Sequence, residues 1–443
     1  MSTPGASSPG THAGAAALPS HGIPQNHGWA QLRHFAIGAV KFFWGVFFCQ
    51  SIVGAILVAG WAQRAAQRAA LRHWWQRSPL SHQPFEGFVQ EAGELAGHAH
   101  WPNWFFRHTR AKTAPAPQGW DRAGALVTSV RSNFWLGLQA VLCTSLLLAP
   151  PGLLWWFGWD YGWNISYYKS YEQFAIGLGL SGIGIVLFVA AMFYVPMAQA
   201  RQSVSGQWRA FFDFDLVWRI VRRQRVRCIG LAMACAVCAL PFHALKVAPM
   251  YLSNRESGLD FPTEAAAYQY LRNYYWAMAA AGFPLFVMLR VWAARIYAGG
   301  IVALHQEQRL SVDELSAVER EVLGRLQMLR SAPAPQRHWF ARLVAWALSR
   351  AGRLVTAVIL ISVWLGFVAQ IYVGEFLNYH EWGRGWINQP LLQLPLFNYM
   401  PIASGDPGRD LGMAVAVLAV AVAGRAFIGF LQRLHRVARP PAD

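Results

Sequence analysis

Charge is what this chain has least of. Charged residues make up 13% of its 443 positions, and acids are the scarcer kind, with 21 Asp and Glu against 38 Lys and Arg. A soluble protein carries about a quarter of its residues charged, so a string of soluble domains is excluded. Lysine is confined to Lys41, Lys112, Lys169 and Lys246, which leaves arginine as the working base. Met1 to Gln31 holds no Lys, Arg, Asp or Glu and is rich in Gly, Pro, Ala and Ser, the composition of a disordered tail. It lacks the basic start and early apolar run of a cleavable signal peptide, so the first apolar stretch is expected to be retained. No P-loop, G-x-S-x-G, H-E-x-x-H or dinucleotide fingerprint occurs, which removes the commonest nucleotide, serine-hydrolase and zinc-protease chemistries. Cysteine is also sparse. Cys49, Cys143, Cys235 and Cys238 fall within apolar runs and Cys228 at the mouth of one, where no extracellular disulfide framework can form. Cys228, Cys235 and Cys238 share a helix face, and among Ala, Leu and Met they read as small buried hydrophobes rather than a metal or redox centre.

What is abundant is apolar surface, at 55% of residues. A hydrocarbon core of roughly 30 Å is crossed by about 20 helical residues, and seven runs meet that length: 35–61, 134–157, 176–195, 228–247, 276–296, 354–376 and 411–431. The expected fold class is therefore all-α, a polytopic membrane domain over 32–443 behind a tail at 1–31, with about seven transmembrane helices in three hairpins plus one. Orientation follows from Tyr194 to Arg227. There Arg201, Arg209, Arg219, Arg222, Arg223, Arg225 and Arg227 face only Asp213 and Asp215, which places the connection in the cytoplasm. The segments 62–132, 198–227 and 297–352 are then cytoplasmic, the amino terminus outside and the carboxyl terminus inside, in a cell inner membrane. The aromatic, nearly neutral loops 158–173 and 253–275 turn at the outer surface. The net charge of +17 sits at the ends of apolar runs, so its partner is the membrane surface and not nucleic acid.

Within the cytoplasmic segments, Trp208, Phe211, Phe212, Leu216, Val217 and Ile220 recur at helical spacing and predict an amphipathic helix lying on the inner leaflet. Arg209 with Asp213, and Asp215 with Arg219, are spaced to pair on it. Ser311 and Glu314 form an S-x-x-E box before the stripe Leu315, Val318, Val322, Leu326 and Leu329, a second amphipathic helix whose apolar side needs a cover. His338 to Ser349 predicts an interfacial helix leading into the sixth span. In the second span Pro150 and Pro151 predict a break. In the third, Gly177, Gly179, Ser181, Gly182 and Gly184 predict close helix approach. The echo of Ala114-Pro-Ala-Pro-Gln118 in Ala332-Pro-Ala-Pro-Gln336, each before a span, fits hairpins repeated in parallel orientation.

Candidate functional residues are few. Arg64, Arg68 and Arg72 repeat every four residues and, with Arg201, Arg209, Arg219, Arg222 and Arg223, are the candidates for contact with lipid headgroups, anionic ones preferred. Ionisable groups within the spans are restricted to Lys41, His243, Lys246 and Arg290, so little charge is expected between the helices. His243 reads as a hydrogen-bonded core histidine, with a haem ligand or proton carrier as alternatives. His98, His100 and His108, and outside Glu375, His380 and Glu381, lack the spacing of a metal motif.

The runs YVPMAQARQSVSGQWRAFFDFDLVWRIVRR, GWAQRAAQRAALRHWWQRSP and WWFGWDYGWNISYYKSYEQ together resemble an uncharacterised family of bacterial polytopic membrane proteins. The resemblance implies location and topology, and no catalytic, cofactor or metal residue. Three functions remain. The first is a scaffold or accessory subunit of a membrane assembly, with lipids and other membrane proteins or a second copy as partners. The second is a permease for a small or lipid-like substrate, with Gln50, Gln139, Thr144, Ser145 and Gln370 along its path. The third is a lipid-acting enzyme using Glu375, His380 and Asp406.

Overall fold

A computed structural model describes residues 27–82 together with Pro84, Phe85 and Phe88, and residues 120–158, 174–252, 264–329 and 339–376. Among them every regular element is helical. In chain order these are α1 (His27–Phe48), α2 (Ile52–Arg77), α3 (Trp120–Phe157), α4 (Phe174–Ser205), a 3₁₀ turn (Trp208–Phe212), α5 (Phe214–Arg223), α6 (Arg225–Leu252), α7 (Glu264–Gln306), a second 3₁₀ turn (Val312–Glu314), α8 (Ala317–Arg325) and α9 (Trp339–Phe376). Of the described residues, those from His27 to Lys41 belong to one compact unit and those from Phe42 to another, which holds all of α2 to α9.

Five helices are long and apolar enough to cross a membrane, over Val127–Leu154, Ile176–Ser205, Arg225–Ala244, Trp276–Gln306 and Leu343–Gln370. Their packing is inverted relative to a soluble protein. Leu146 on α3, Val186 on α4, Val237 on α6, Met288 on α7 and Leu354 on α9 are exposed, whereas Arg64, Arg201, Arg290 and Glu319 are buried. Large apolar surface outside and charge inside is the arrangement a lipid solvent favours. The chain is thus a multi-pass, helical membrane protein.

The helices also overshoot the bilayer. Helix α7 has 43 residues, about 65 Å at about 1.5 Å per residue, twice the roughly 30 Å of hydrocarbon. The surplus at the arginine-rich end of α4 and α7 forms the core into which α5 and α8 pack, through Leu216, Val217, Ile220, Val318 and Val322.

Three expectations need correction. The run 35–61 is not one span, because the helix stops at Phe48 and restarts at Ile52. Ser51 is extended there and its side chain accepts from Gly54 N, capping a new helix. Pro150 and Pro151 do not end α3, which continues to Phe157; they remove only the donors of its last turns, a loss that membrane helices tolerate. Residues 339–349 are continuous with the next span in α9 and form no separate interfacial helix. The run 411–431 and the tail up to residue 26 lie outside the described residues.

Helix α2 is the buried centre. Val58, Ala62, Ala66, Ala70 and Trp74 succeed one another every four residues on its covered side, and Trp74 Nε1 donates to Ala298 O of α7 at 2.9 Å. Against α3 it comes unusually close. A Cβ on Gly60 would lie 1.7 Å from Asn133 O, and one on Gly137 would lie 1.9 Å from Ile56 O. In α4, by contrast, Gly179 and Gly182 face open space. The tight crossing is therefore between α2 and α3, while Gly177 and Ser181 of α4 are closely approached by Gly158.

Candidate functional site

Where the overshooting helices meet α5 and α8, the molecule seals an ionic cluster. Arg201 projects from the last turn of α4. Its Nη1 donates to Tyr297 Oη at 2.8 Å and to Glu319 Oε2, and its Nη2 donates to Asp213 Oδ2 at 3.2 Å and to Glu314 O at 3.1 Å. Tyr297, on α7, passes the chain on by donating to Glu319 Oε1 at 2.5 Å. Glu319 is 0% exposed and Arg201 4%.

Each member is placed by local geometry. Ser316 is the N-cap of α8, and Glu319 sits at the third helical position, where its carboxylate also accepts from Ser316 N at 2.9 Å. That capping box is five residues later than the one expected at Ser311, whose side chain makes no cap bond because Val312–Glu314 is a 3₁₀ turn. Asp213 stands between the first 3₁₀ turn and α5. It pairs with Arg201 and not with Arg209, since the turn before it lacks the α-helical pitch that brings residues four apart together. Asp215 and Arg219 do pair, at 2.9 Å.

A carboxylate with no exposure and both oxygens occupied is not available to a substrate. What this arrangement does is clasp: it ties α4, α7, α8 and the α4–α5 connection at one point, and only one register of α8 completes it. The expectation of little charge between the helices does not hold at this point. The signal was present in Glu319, an acid set among Leu315, Val318, Val322 and Leu326 on an otherwise apolar stripe.

A second polar chain lies within the spans. The Arg290 guanidinium hydrogen-bonds Gln199 Oε1 and rests 5.0 Å over Phe286, and Gln199 Nε2 donates to Thr144 Oγ1 at 2.8 Å. It links α7, α4 and α3. On α4, Met192, Phe193, Pro196 and Met197 line a cavity of about 20 Å³ with residues of α6 and α9, room for about one water.

The eight headgroup candidates divide. Arg64 and Arg201 are buried and withdrawn from lipid, a correction to their expected role. Arg64 turns inward to Ser132 of α3, and burial pushes its guanidinium down to about 10. The reason is helical drift, since residues four apart are turned about 40° from one another, and the row Arg64, Arg68, Arg72 walks out of the core as it goes. Arg68 and Arg72 lie beside Phe85. Arg219 and Arg223 hold Glu314 and Glu307, Arg209 lies over Trp208, and Arg222 is exposed. The apolar side of α5, expected on the inner leaflet, and that of α8, expected under another cytoplasmic segment or a partner, are both covered by the protein's own core.

Of the other candidates, His243 is half-buried and meets Phe367 edge-on. Thr144 is buried and Ser145 exposed, while Gln50, in the turn after α1, donates to Val46 O. His98, His100, His108, His380, Glu381 and Asp406 lie outside the described residues, as does the Glu375 side chain.

One histidine was overlooked. His73, on α2, is half-buried, and burial, then the charges of Arg77, Arg227 and Arg295, push its imidazole down to about 4. An unfolded histidine protonates near 6.5, so the stability this neutral ring contributes is complete above pH 6.5 and is lost as pH falls from there toward 4. The melting temperature is expected to drop between pH 7.5 and 5, and to drop less in His73→Gln. Identical pH slopes for the two proteins would contradict the assignment.

No family model, no curated relative and no solved structure matches this chain.

Proposed function

We propose that this chain is a non-catalytic scaffold or accessory subunit of a membrane assembly, seated in a bacterial inner membrane with its arginine-rich end in the cytoplasm. The observation that carries the reading is the clasp. Its ionisable groups are closed on one another, and their effect is to fix α5 and α8 as a rigid platform beyond the bilayer, displaying Arg222 and Arg320 on its outside. Rigid, exposed and charged surface on a membrane anchor suits docking better than turnover. The bias of arginine over acids in short connections supports the cytoplasmic side.

The test is photo-crosslinking in native membranes from probes at positions 222 and 320, with position 186 on the exposed side of α4 as the lipid-facing control. One discrete protein adduct from the platform, absent from position 186, is expected. A protein that runs as a lone monomer in mild detergent and yields no adduct at either platform site contradicts the reading.

A permease is the second reading, supported by the Arg290–Gln199–Thr144 chain, which places polar groups of three spanning helices in contact. It requires solute uptake by reconstituted vesicles that Gln199→Leu abolishes.

A further inference from the structure

Three basic groups from two helices converge on a point of a third helix where the chain has no side chain. On α7, the position a Cβ would take on Gly299 lies 3.1 Å from Arg227 Nη1, 3.3 Å from His73 Nε2 and 3.7 Å from Arg77 Nη1. Arg295 is one turn earlier on the same helix, close enough for its charge to act on His73. Among the described residues, the ion pairs of this end engage Arg201, Arg219, Arg223, Arg309, Arg320 and Arg325, and no carboxylate pairs with Arg77, Arg227 or Arg295. His73 Nε2 is buried and has no hydrogen-bond partner among them.

An ordinary basic flank spreads its side chains into water, where repulsion between them is screened. Here Arg77 and Arg227, though exposed, reach one point instead, beside a buried nitrogen and a glycine. Like charges brought together are costly unless an anion joins them, and guanidinium forks with an imidazole nitrogen suit the several oxygens of a phosphate.

We propose that Arg77, Arg227 and His73, gathered over Gly299 with Arg295 one turn away, form a binding site for a phosphate group. The site is separate from the arginines expected to meet lipid and stands whether or not the scaffold reading does. Two sources offer this chemistry, the phosphodiester of an anionic lipid and free inorganic phosphate.

To separate them, the delipidated full chain in zwitterionic micelles is given phosphatidylglycerol, phosphatidylcholine or inorganic phosphate. Bound lipid is read by native mass spectrometry, phosphate by equilibrium dialysis, and the site itself by the ring resonances of ¹⁵N-histidine-labelled protein, with His73 assigned through His73→Gln. Phosphatidylglycerol or phosphate is expected to move the His73 resonance, and Arg77→Gln/Arg227→Gln to weaken the retained ligand by about tenfold or more. Arg131→Gln on α3 is expected to leave retention unchanged. A response to phosphatidylglycerol alone assigns the site to lipid; a response to inorganic phosphate assigns it to the free anion. Equal retention by the double variant and the wild type overturns the proposal, as does equal loss in Arg131→Gln. Should the double variant fail to fold, the wild-type resonance decides, and a His73 signal unmoved by either probe overturns it.

Discussion

Replacing Glu319 with Ala is expected to cost about 3–5 kcal/mol, the range for breaking a buried ion pair and stranding the partner charge. Arg201 is 4% exposed and would keep Asp213 and the Glu314 carbonyl as acceptors, but it would lose the carboxylate that neutralises it in the core. Tyr297 would lose its acceptor and α8 its capping box in the same stroke. A stability of about 5–15 kcal/mol is typical of a folded domain, so the loss is a large share. Thermal unfolding in micelles, followed by size exclusion, should show Glu319→Ala as aggregated or strongly destabilised. Glu319→Gln is expected in between, since it keeps the shape and an acceptor without the charge. Arg201→Met/Glu319→Leu should recover much of the loss, because removing both ends also removes their desolvation. An alanine variant as stable as the wild type would show that the clasp contributes nothing.

The second large effect is expected at the crossing of α2 and α3. Ala at Gly60 or Gly137 would put its Cβ within 2 Å of a main-chain carbonyl of the facing helix, Asn133 O in one case and Ile56 O in the other. A main-chain oxygen can retreat only if its whole helix moves, and α2 is held on its other side by α7 through Trp74. Overpacking costs about 1–3 kcal/mol even where side chains adjust, and here none can. Gly182→Ala, into open space, is the matched control and should be neutral or slightly stabilising, because Ala exceeds Gly in helix propensity by about 1 kcal/mol. Equal melting temperatures for Gly137→Ala and Gly182→Ala would contradict the close packing.

Length and hydropathy made much of the fold legible in the sequence. The runs beginning at 134, 176, 228, 276 and 354 are each apolar over about a membrane's thickness, and each falls inside a long helix. The run from 35 read as one span because hydropathy does not register Ser51 as a cap. The glycines of α4 were more conspicuous than Gly60 and Gly137, yet small residues on one strand of sequence do not say which partner helix arrives. Beyond the acid at Glu319, the partners of the clasp were illegible for a related reason. Ser311-x-x-Glu314 and Ser316-x-x-Glu319 are equivalent as strings, and only the 3₁₀ turn between them decides which becomes the cap. Arg201 looked like one arginine among seven in a basic segment; its burial depends on Tyr297 and Glu319, far along the chain. Likewise His73 and Arg227 are separated by the whole of α3, α4 and α5, and nothing local marks them as neighbours.

The claim on which the rest depends is that apolar helix surface faces lipid while the clasped end stands clear of it. Spin labels at positions 186, 237 and 288, on exposed apolar sites of α4, α6 and α7, and at 222 and 320, on α5 and α8, measure this directly in reconstituted bilayers. The first three are expected to collide preferentially with dissolved oxygen and the last two with a water-soluble nickel chelate. Nickel collision at 186 and 237 as frequent as at 222 and 320 would contradict the account.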